Sequence, residues 1–316
     1  MTSPRHALAM AVAIVSYDTK DVLEPCLRSV AAAGALETVV VDNGSTDGSI
    51  ELVRQSFPDV VLVVNERNRG YGAAANQAIA ACTAPAVLLL NSDTVLAPGA
   101  LAELGGYLAA HPRAGVVGPR LANADGSLQR STFDYPSAGD MLLGETGLHL
   151  LVARLPGVRE RRLRTWAHDE ARAVPWLRGA ALAIRRSAFD AVGGFDEEFF
   201  MYWEEVDLSR RMAAAGFATH FAPVTTVVHV RAQSTSRHAC AMRREWLIGF
   251  GRYLRRHEPP LRRSLLLAEL RAFALARARR DALLLRVVRD EQRRASVRAG
   301  LNCSNELLAE RELWKP

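Results

Sequence analysis

The chain has 316 residues, 49% of them hydrophobic and 23% charged, with Gly 22 and Pro 14. That balance excludes a disordered, collagen-like or linker-dominated chain and supports a sizeable core. The net charge of +6 points to anionic partners: a nucleotide, a nucleic acid or an acidic lipid surface.

Residues 2–6 are polar, and the apolar run 7–15 lacks a cleavage site before Ser16 and Tyr17. No stretch approaches about 18 uninterrupted apolar residues, so neither a secretory leader nor a membrane span is expected. Residues 9–16 read as a buried strand, and 21–33 as a helix with Val22, Leu23, Cys26, Leu27 and Val30 on one face. A β-branched run at 37–41 breaks at Asp42-Asn43-Gly44-Ser45, a turn signal. Then come a helix at 49–57, a strand at 60–64, an Ala-rich helix at 72–81, a strand at 87–90 and a helix at 98–110. This alternation implies an α/β fold whose sheet is mixed and mostly parallel, with helices on both faces. Ligands of such sheets sit beyond the strand C-termini, where residues 16–18, 42–45 and 91–93 fall. Residues 126–173 read as an irregular, Arg-bearing insertion, partly helical at 141–152, and 174–223 as compact again. From 239 onward the chain reads as basic helices, with sixteen Arg against six acids up to residue 299. The four cysteines, Cys26, Cys82, Cys240 and Cys303, form no CxxC pair. Neither a zinc module nor a disulfide framework is expected, and a reducing compartment fits.

Chemistry concentrates in five stretches. In VVVDNGSTDGS, Asp42 ends a strand where a carboxylate can accept from a base or a ribose, while Asp47 suits a helix cap. In NERNRGYGAAANQAI, Gly70 and Gly72 precede a helix whose N-terminus favours an anion, with Arg67 and Arg69 adding charge. LLLNSD sets Asp93, after Asn91 and Ser92, where a hard oxygen ligand for a divalent cation belongs. GGFDEEFFMYWEEVDLSRR packs Glu204, Glu205 and Asp207 into one turn, ahead of Arg210 and Arg211. Carboxylates this close raise one another's pKa, which suits a general base. His229 follows a β-branched run, and imidazole with carboxylate suits Mn²⁺-like ions. Each stretch alone admits a plainer reading: a turn, a core helix, a solvated acidic helix start or a core histidine.

Together IVSY, VVVDNGSTDGS, NRGYGAAANQ, LLLNSD, RGAALAIRRSAFDAVGGFDEEFFMYWEEVDLSRR and VVHVRAQST resemble, in order and spacing over residues 9–256, the family-two inverting glycosyltransferases of the GT-A fold, nearest their rhamnosyltransferase-like branch. The resemblance implies that Val15, Ser16, Tyr17, Asp42, Arg69, Gly70, Gly72, Asn91, Ser92, Asp93 and Arg178 bind the nucleotide-sugar donor. It implies a divalent cofactor, Mg²⁺ or Mn²⁺, on Asp93 and His229, and a catalytic group of Glu205 as base with Glu204 and Asp207. Four positions depart from the family pattern: Asn91 for the usual first acid, Glu205 for Asp, Asp18 for Asn and Ala232 for Gly. It further implies a catalytic domain over 1–238, a helical extension over 239–316, and dTDP-rhamnose as the favoured donor, with UDP-sugars or GDP-mannose as alternatives. The acceptor would be a cell-wall or surface glycan or a lipid-linked glycan. The expected location is cytoplasmic, peripheral on the inner face of the plasma membrane, with the tail docking on anionic lipid or on a second subunit. Two rival readings stand beside it. A nucleotidyltransferase would carry a Gly-rich basic loop after the first strand, which IVSYDTK lacks. A nucleic-acid-binding protein would use the Arg-rich tail, but no base-reading module is visible and the acidic cluster opposes it.

Overall fold

The computed structural model describes residues 7–137, 166–230 and 239–315. They divide into two compact units, 7–135 with 166–230, and 136–137 with 239–315. The helix expected at 141–152 lies outside the described residues.

The first unit begins with β1 (Met10–Ser16), α1 (Lys20–Ala32), β2 (Thr38–Asp42), α2 (Ser49–Ser56), β3 (Val61–Val64), α3 (Tyr71–Ala81) and β4 (Ala86–Asn91). It continues through β5 (Thr94–Leu96), α4 (Ala100–Ala110), β6 (Ala114–Ala122), β7 (Leu128–Gln129), β8 (Thr132–Phe133), β9 (Arg172–Val174), β10 (Trp176–Leu177) and β11 (Ala181–Arg185). The last elements are α5 (Arg186–Ala191), α6 (Glu204–Ala214) and β12 (Ala218–His229). Among the described residues the main sheet runs β3-β2-β1-β4-β11-β6-β12-β5, with β7 on β6 and β9 on β12. Strands β3, β2, β1 and β4 are parallel, as are β6 and β12. Strand β11 is antiparallel to both its neighbours, and β5 is antiparallel to β12.

The apolar runs explain this architecture. On β1, Met10, Val12 and Ile14 pack with Leu23, Cys26, Leu27 and Val30 of α1 and with Leu104 and Leu108 of α4. The alternate residues Ala11, Ala13 and Val15 pack with Ala74, Ala75, Ala78 and Ile79 of α3 on the opposite face. A strand covered on both faces reads as a continuous apolar run. Leu88, Leu89 and Leu90 of β4 are fully buried, so truncating any one to Ala costs about 2–5 kcal/mol. Away from the site, Arg185 bonds the carbonyls of Leu108, His111 and Ala114, and Arg186 those of Ile79, Cys82 and Ala84. Two adjacent guanidinium groups thus satisfy the C-terminal ends of α4 and α3.

Two expectations need correction. The segment 126–173 is not irregular throughout: its described ends contribute β7, β8 and the start of β9. His168, buried, accepts from Thr132 Oγ1 at Nε2 and donates from Nδ1 to the Trp166 carbonyl. Trp166 stacks on His168, and both meet Phe221 edge-on.

The second correction concerns cysteine. The second unit holds α7 (Ala239–His257), α8 (Pro260–Val287), α9 (Glu291–Ala309) and a final 3₁₀ turn (Arg311–Trp314). Leu247, Leu307, Leu313 and Trp314 form its small core. Packing of α7 with α9 brings Cys240 and Cys303, 63 positions apart, to a Cα separation of 5.6 Å, and they are disulfide-bonded. Sequence spacing carried no sign of this, because the helices fold back over a long separation. No helix among the described residues is long and apolar enough to cross a membrane.

Candidate active site

Strand register levels the rim. Ser16 pairs with Asp42 across β1 and β2, and Val15 pairs with Asn91 across β1 and β4. Ser16 is buried, with Oγ 3.1 Å from Thr19 Oγ1, and Val15 is buried beside it, whereas Tyr17 is 41% exposed. Asp42 is buried and occupied: Oδ1 accepts the amides of Gly44 and Ser45, and Oδ2 accepts the Ser45 hydroxyl. It builds the turn that the plainer reading of DNGS required. Asp18 and Asp47 join the two rim loops, Asp18 Oδ1 accepting from the Thr46 amide and Asp47 Oδ2 from the Lys20 amide.

The NRGYG loop is fastened by amide side chains that sequence reading passed over. Asn43 Nδ2 donates to Asn68 Oδ1 and to the Gly70 carbonyl, while its Oδ1 accepts from the Arg69 amide and from Asn65 Nδ2. Gly70 sits at φ +87°, and a Cβ there would lie 2.5 Å from the Phe200 carbonyl oxygen. That carbonyl accepts the Tyr71 amide at 2.7 Å. Gly70 therefore lets the loop before α6 close onto the start of α3. Gly72 is buried, and a Cβ there would make only ordinary contact with Phe195. Asn76 clamps the same approach, bonding both the amide and the carbonyl of Phe195. Arg69 pairs with Glu197 at 3.7 Å.

The acids of α6 follow two consecutive non-glycine residues in the left-handed region, Tyr202 and Trp203. Glu204 is 5% exposed, and Glu205 is partly buried. Oε2 of each is buried with no hydrogen-bond partner. Burial pushes the Glu204 carboxyl well above the usual range, and Glu205 beside it pushes it further. Burial also raises Glu205, tempered by the backbone around it, by the Arg178 guanidinium and by the Gly179 backbone. Both carboxyls are thus held above the usual range, and Arg178 stands on the Glu205 side of the pair. This overturns the solvated-helix-start reading: water would have held both carboxyls near their ordinary values. Asp207 has a different task, fully buried and paired at 2.7 Å with Arg211 Nε, whose Nη1 bonds the Val192 carbonyl. Arg210 lies over the Tyr135 ring and Arg178 over the Phe133 ring.

Asn91 and Asp93 are partly buried, Ser92 is buried, and the Asn91 amide bonds the Ala180 carbonyl. Pairing of β12 with β5 sets His229 opposite Thr94, bringing His229 Nε2 to 3.1 Å from Asp93 Oδ1. His229 Nδ1 is 2.6 Å from Gln129 Oε1. Among the described residues no group of three or more His, Cys, Asp and Glu gathers for a metal, and Asp93 and His229 stand as a pair. Tyr71, absent from the sequence candidates, feels both acidic groups. Its hydroxyl donates to the Gly179 carbonyl, and burial, then Glu204, Glu205 and Asp93, raise it well above an ordinary phenol. Asp93, Glu204 and Glu205 are therefore within electrostatic reach of one hydroxyl. The structure brings together Asp93, His229, Glu204, Glu205 and Arg178, and it gives Asp42 and Asp207 to structural bonds.

The family model "Glycosyltransferase like family 2" matches residues 5–247. An N-acetylglucosaminyl-diphospho-decaprenol L-rhamnosyltransferase of Mycobacterium tuberculosis is 36% identical over 246 residues, 72% of this chain and 78% of the relative. Among solved structures, the mannosyltransferase PcManGT from Pyrobaculum calidifontis, in complex with GDP-Man and Mn²⁺, superposes with a TM-score of 0.58 at 18% identity over 99% of this chain and 90% of its own. GalNAc-T7 with UDP, GalNAc and Mn²⁺ gives 0.54 at 20% identity, over 72% of this chain and 45% of its own. These two likenesses bear on the fold, which is the GT-A fold. Breadth of the family match and identity to the mycobacterial relative together establish that the chain belongs to glycosyltransferase family 2 and is a glycosyltransferase with a rhamnosyltransferase relative.

Proposed function

We propose that the chain is an inverting transferase that moves a sugar, foremost rhamnose from dTDP-rhamnose, to a hydroxyl of a lipid-linked or cell-wall glycan. The observation that carries this reading is the buried Glu204–Glu205 pair with its two unpartnered Oε2 atoms. Buried acceptor atoms without donors cost free energy unless a ligand supplies the donor, and an acceptor hydroxyl does so.

Glu205 takes the acceptor hydroxyl's proton as that oxygen attacks the anomeric carbon. The bond from that carbon to the nucleoside diphosphate breaks in the same displacement, which inverts the centre and needs no covalent intermediate. Asp93 Oδ1 and His229 Nε2 form a hard-oxygen and imidazole pair that would hold a divalent cation. Bound there, such a cation stabilises negative charge on the departing diphosphate. Tyr17, exposed at the rim, the loop held by Gly70 and Asn43, and Arg178 complete the donor side. Residues 1–238 form the catalytic domain in this reading, and 239–316 an extension that docks on anionic lipid, where lipid-linked acceptors reside. Its basis is α8, which exposes Leu261, Leu265, Leu275, Leu283 and Val287 among Arg271, Arg279 and Arg286.

Two measurements test the reading. Calorimetry of dTDP-rhamnose, UDP-glucose, UDP-galactose and GDP-mannose, with and without Mn²⁺ or Mg²⁺, should show selective, metal-enhanced binding of the first. Equal affinity with and without metal would remove the cation from the site. Glu205→Gln should lower turnover about 10²–10⁴-fold while leaving donor affinity nearly unchanged, and unaltered turnover would exclude Glu205 as the base.

A further inference from the structure

Gln129 lies in the segment where sequence reading found least, yet it is 2% exposed and touches His229 twice. Its side chain meets the imidazole at Nδ1 through Oε1, at 2.6 Å. Its Nε2 donates to the His229 backbone carbonyl at 3.2 Å and to Asn123 Oδ1 at 2.9 Å. A backbone carbonyl only accepts, so the amide cannot be turned round without setting two oxygens against each other. Oε1 must therefore face the ring, and as an acceptor it requires a proton on Nδ1. In the neutral ring the lone pair of Nε2 then lies on the side of Asp93 Oδ1, 3.1 Å away.

The hairpin that carries Gln129 is itself held firmly. Strand β7 pairs with β6 so that Gln129 stands opposite Leu121. The intervening turn is closed by the Asn123 amide to the Ser127 carbonyl and by Asn123 Nδ2 to Ser127 Oγ, with Gly126 at φ +81°. Asp125 Oδ1 accepts from both the amide and the hydroxyl of Ser127. A rigid turn thus fixes Asn123, Asn123 orients Gln129, and Gln129 orients the ring.

We infer that Gln129 is a positioning residue, holding His229 in the Nδ1–H tautomer so that Nε2 and Asp93 present a preformed pair of ligand atoms to a divalent cation. The inference rests on the cation reading of Asp93 and His229. Partners of this kind on the far nitrogen of a ligating imidazole fix tautomer and ring orientation and raise ligand basicity.

The test uses the full chain and two variants. Gln129→Leu removes the acceptor, whereas Gln129→Glu keeps an oxygen to accept Nδ1–H and, as the neutral acid, a hydroxyl that donates to the His229 carbonyl in place of Nε2. Mn²⁺ is titrated in the presence of dTDP and, separately, of UDP, with free ion read by electron paramagnetic resonance. Gln129→Leu should weaken Mn²⁺ binding about 10- to 100-fold while Gln129→Glu stays within about threefold of the parent chain. Imidazole ¹⁵N spectra of the metal-free chain, in solution alkaline enough to leave the ring neutral, should report His229 as Nδ1–H, and that signature should be lost in Gln129→Leu. A purely structural role for Gln129 would change thermal stability in both variants without this split between Leu and Glu. An Nε2–H ring in the parent chain, or equal Mn²⁺ affinity in Gln129→Leu, overturns the inference. Absence of Mn²⁺ binding to the parent chain with either nucleotide overturns the cation reading instead, and the tautomer spectrum still reports on Gln129.

Discussion

At the scale of single residues, Glu204 and Glu205 dominate, and their chemistry is set by burial before anything else. A base must be ionised to accept a proton, so kcat/KM should fall as pH drops through a Glu205 value above the ordinary 4.5. Glu204→Gln deletes a neighbouring carboxyl that can carry like charge, so it should move the acid limb of that profile to lower pH. An unmoved limb would show that the two groups do not interact. The same substitution has a stability consequence of definite sign. Glu204 has a folded-state pKa raised above its unfolded value, so folding is relatively favoured below about pH 4.5 and loses stability as pH rises through the raised value. Glu204→Gln should therefore raise the melting temperature at neutral pH and lose that advantage near pH 4, as followed by thermal melts across pH.

At the scale of elements, the site depends on loops brought into contact by small residues and amides. Gly70 is the sharpest case, since a side chain there meets both a disfavoured φ and the Phe200 carbonyl. Gly70→Ala should cost about 1–3 kcal/mol and reduce activity by shifting the loop that leads into Glu204. Chemical denaturation and kinetics measure the two effects separately. Gly72→Ala is the control, because the added Cβ there meets Phe195 at an ordinary 3.4 Å. Hairpins and amide networks of this kind were only partly legible. The Asp125-Gly126 pair is a hairpin signal, and it marks where β7 returns along β6. Nothing in the sequence pairs Gln129 with His229, because their contact depends on β6 lying beside β12.

At the scale of the whole molecule, the chain divides into an α/β unit and a helical unit with different sources of stability. The first buries a sheet on both faces, whereas the second has a small core and a cross-link. In the chain-entropy model, a bridge across 63 positions stabilises by about 4 kcal/mol. Cys240→Ser should accordingly make α7–α9 more susceptible to limited proteolysis, and equal cleavage of both forms would mean that the bridge contributes nothing. The exposed leucines and arginines of α8 should drive binding to anionic vesicles that weakens with salt and is absent on neutral vesicles. Co-sedimentation of the parent chain with that of Leu261→Glu/Leu265→Glu reads this directly, and unchanged binding in the double variant would sink the role given to α8.

The alternation of strands and helices, the parallel half of the sheet and the rim positions of Asp42 and Asp93 were legible in the sequence alone. These follow from local signals: apolar runs of strand length, helical spacing, and turn residues directly after strands. Which of the acids are already committed emerges only in the folded chain. Asp42 and Asp207 meet nearby donors that satisfy them, while Glu204 and Glu205 are enclosed with oxygens left over. The donors to Asp42 and Asp207 sit two to four positions away, whereas Glu205 meets Arg178 and Gly179 from a distant segment, and the same letter in a sequence can be a turn-closing carboxylate or a base. The pairing of Cys240 with Cys303, and of Gln129 with His229, belongs to that second class, since each contact spans 63 and 100 positions.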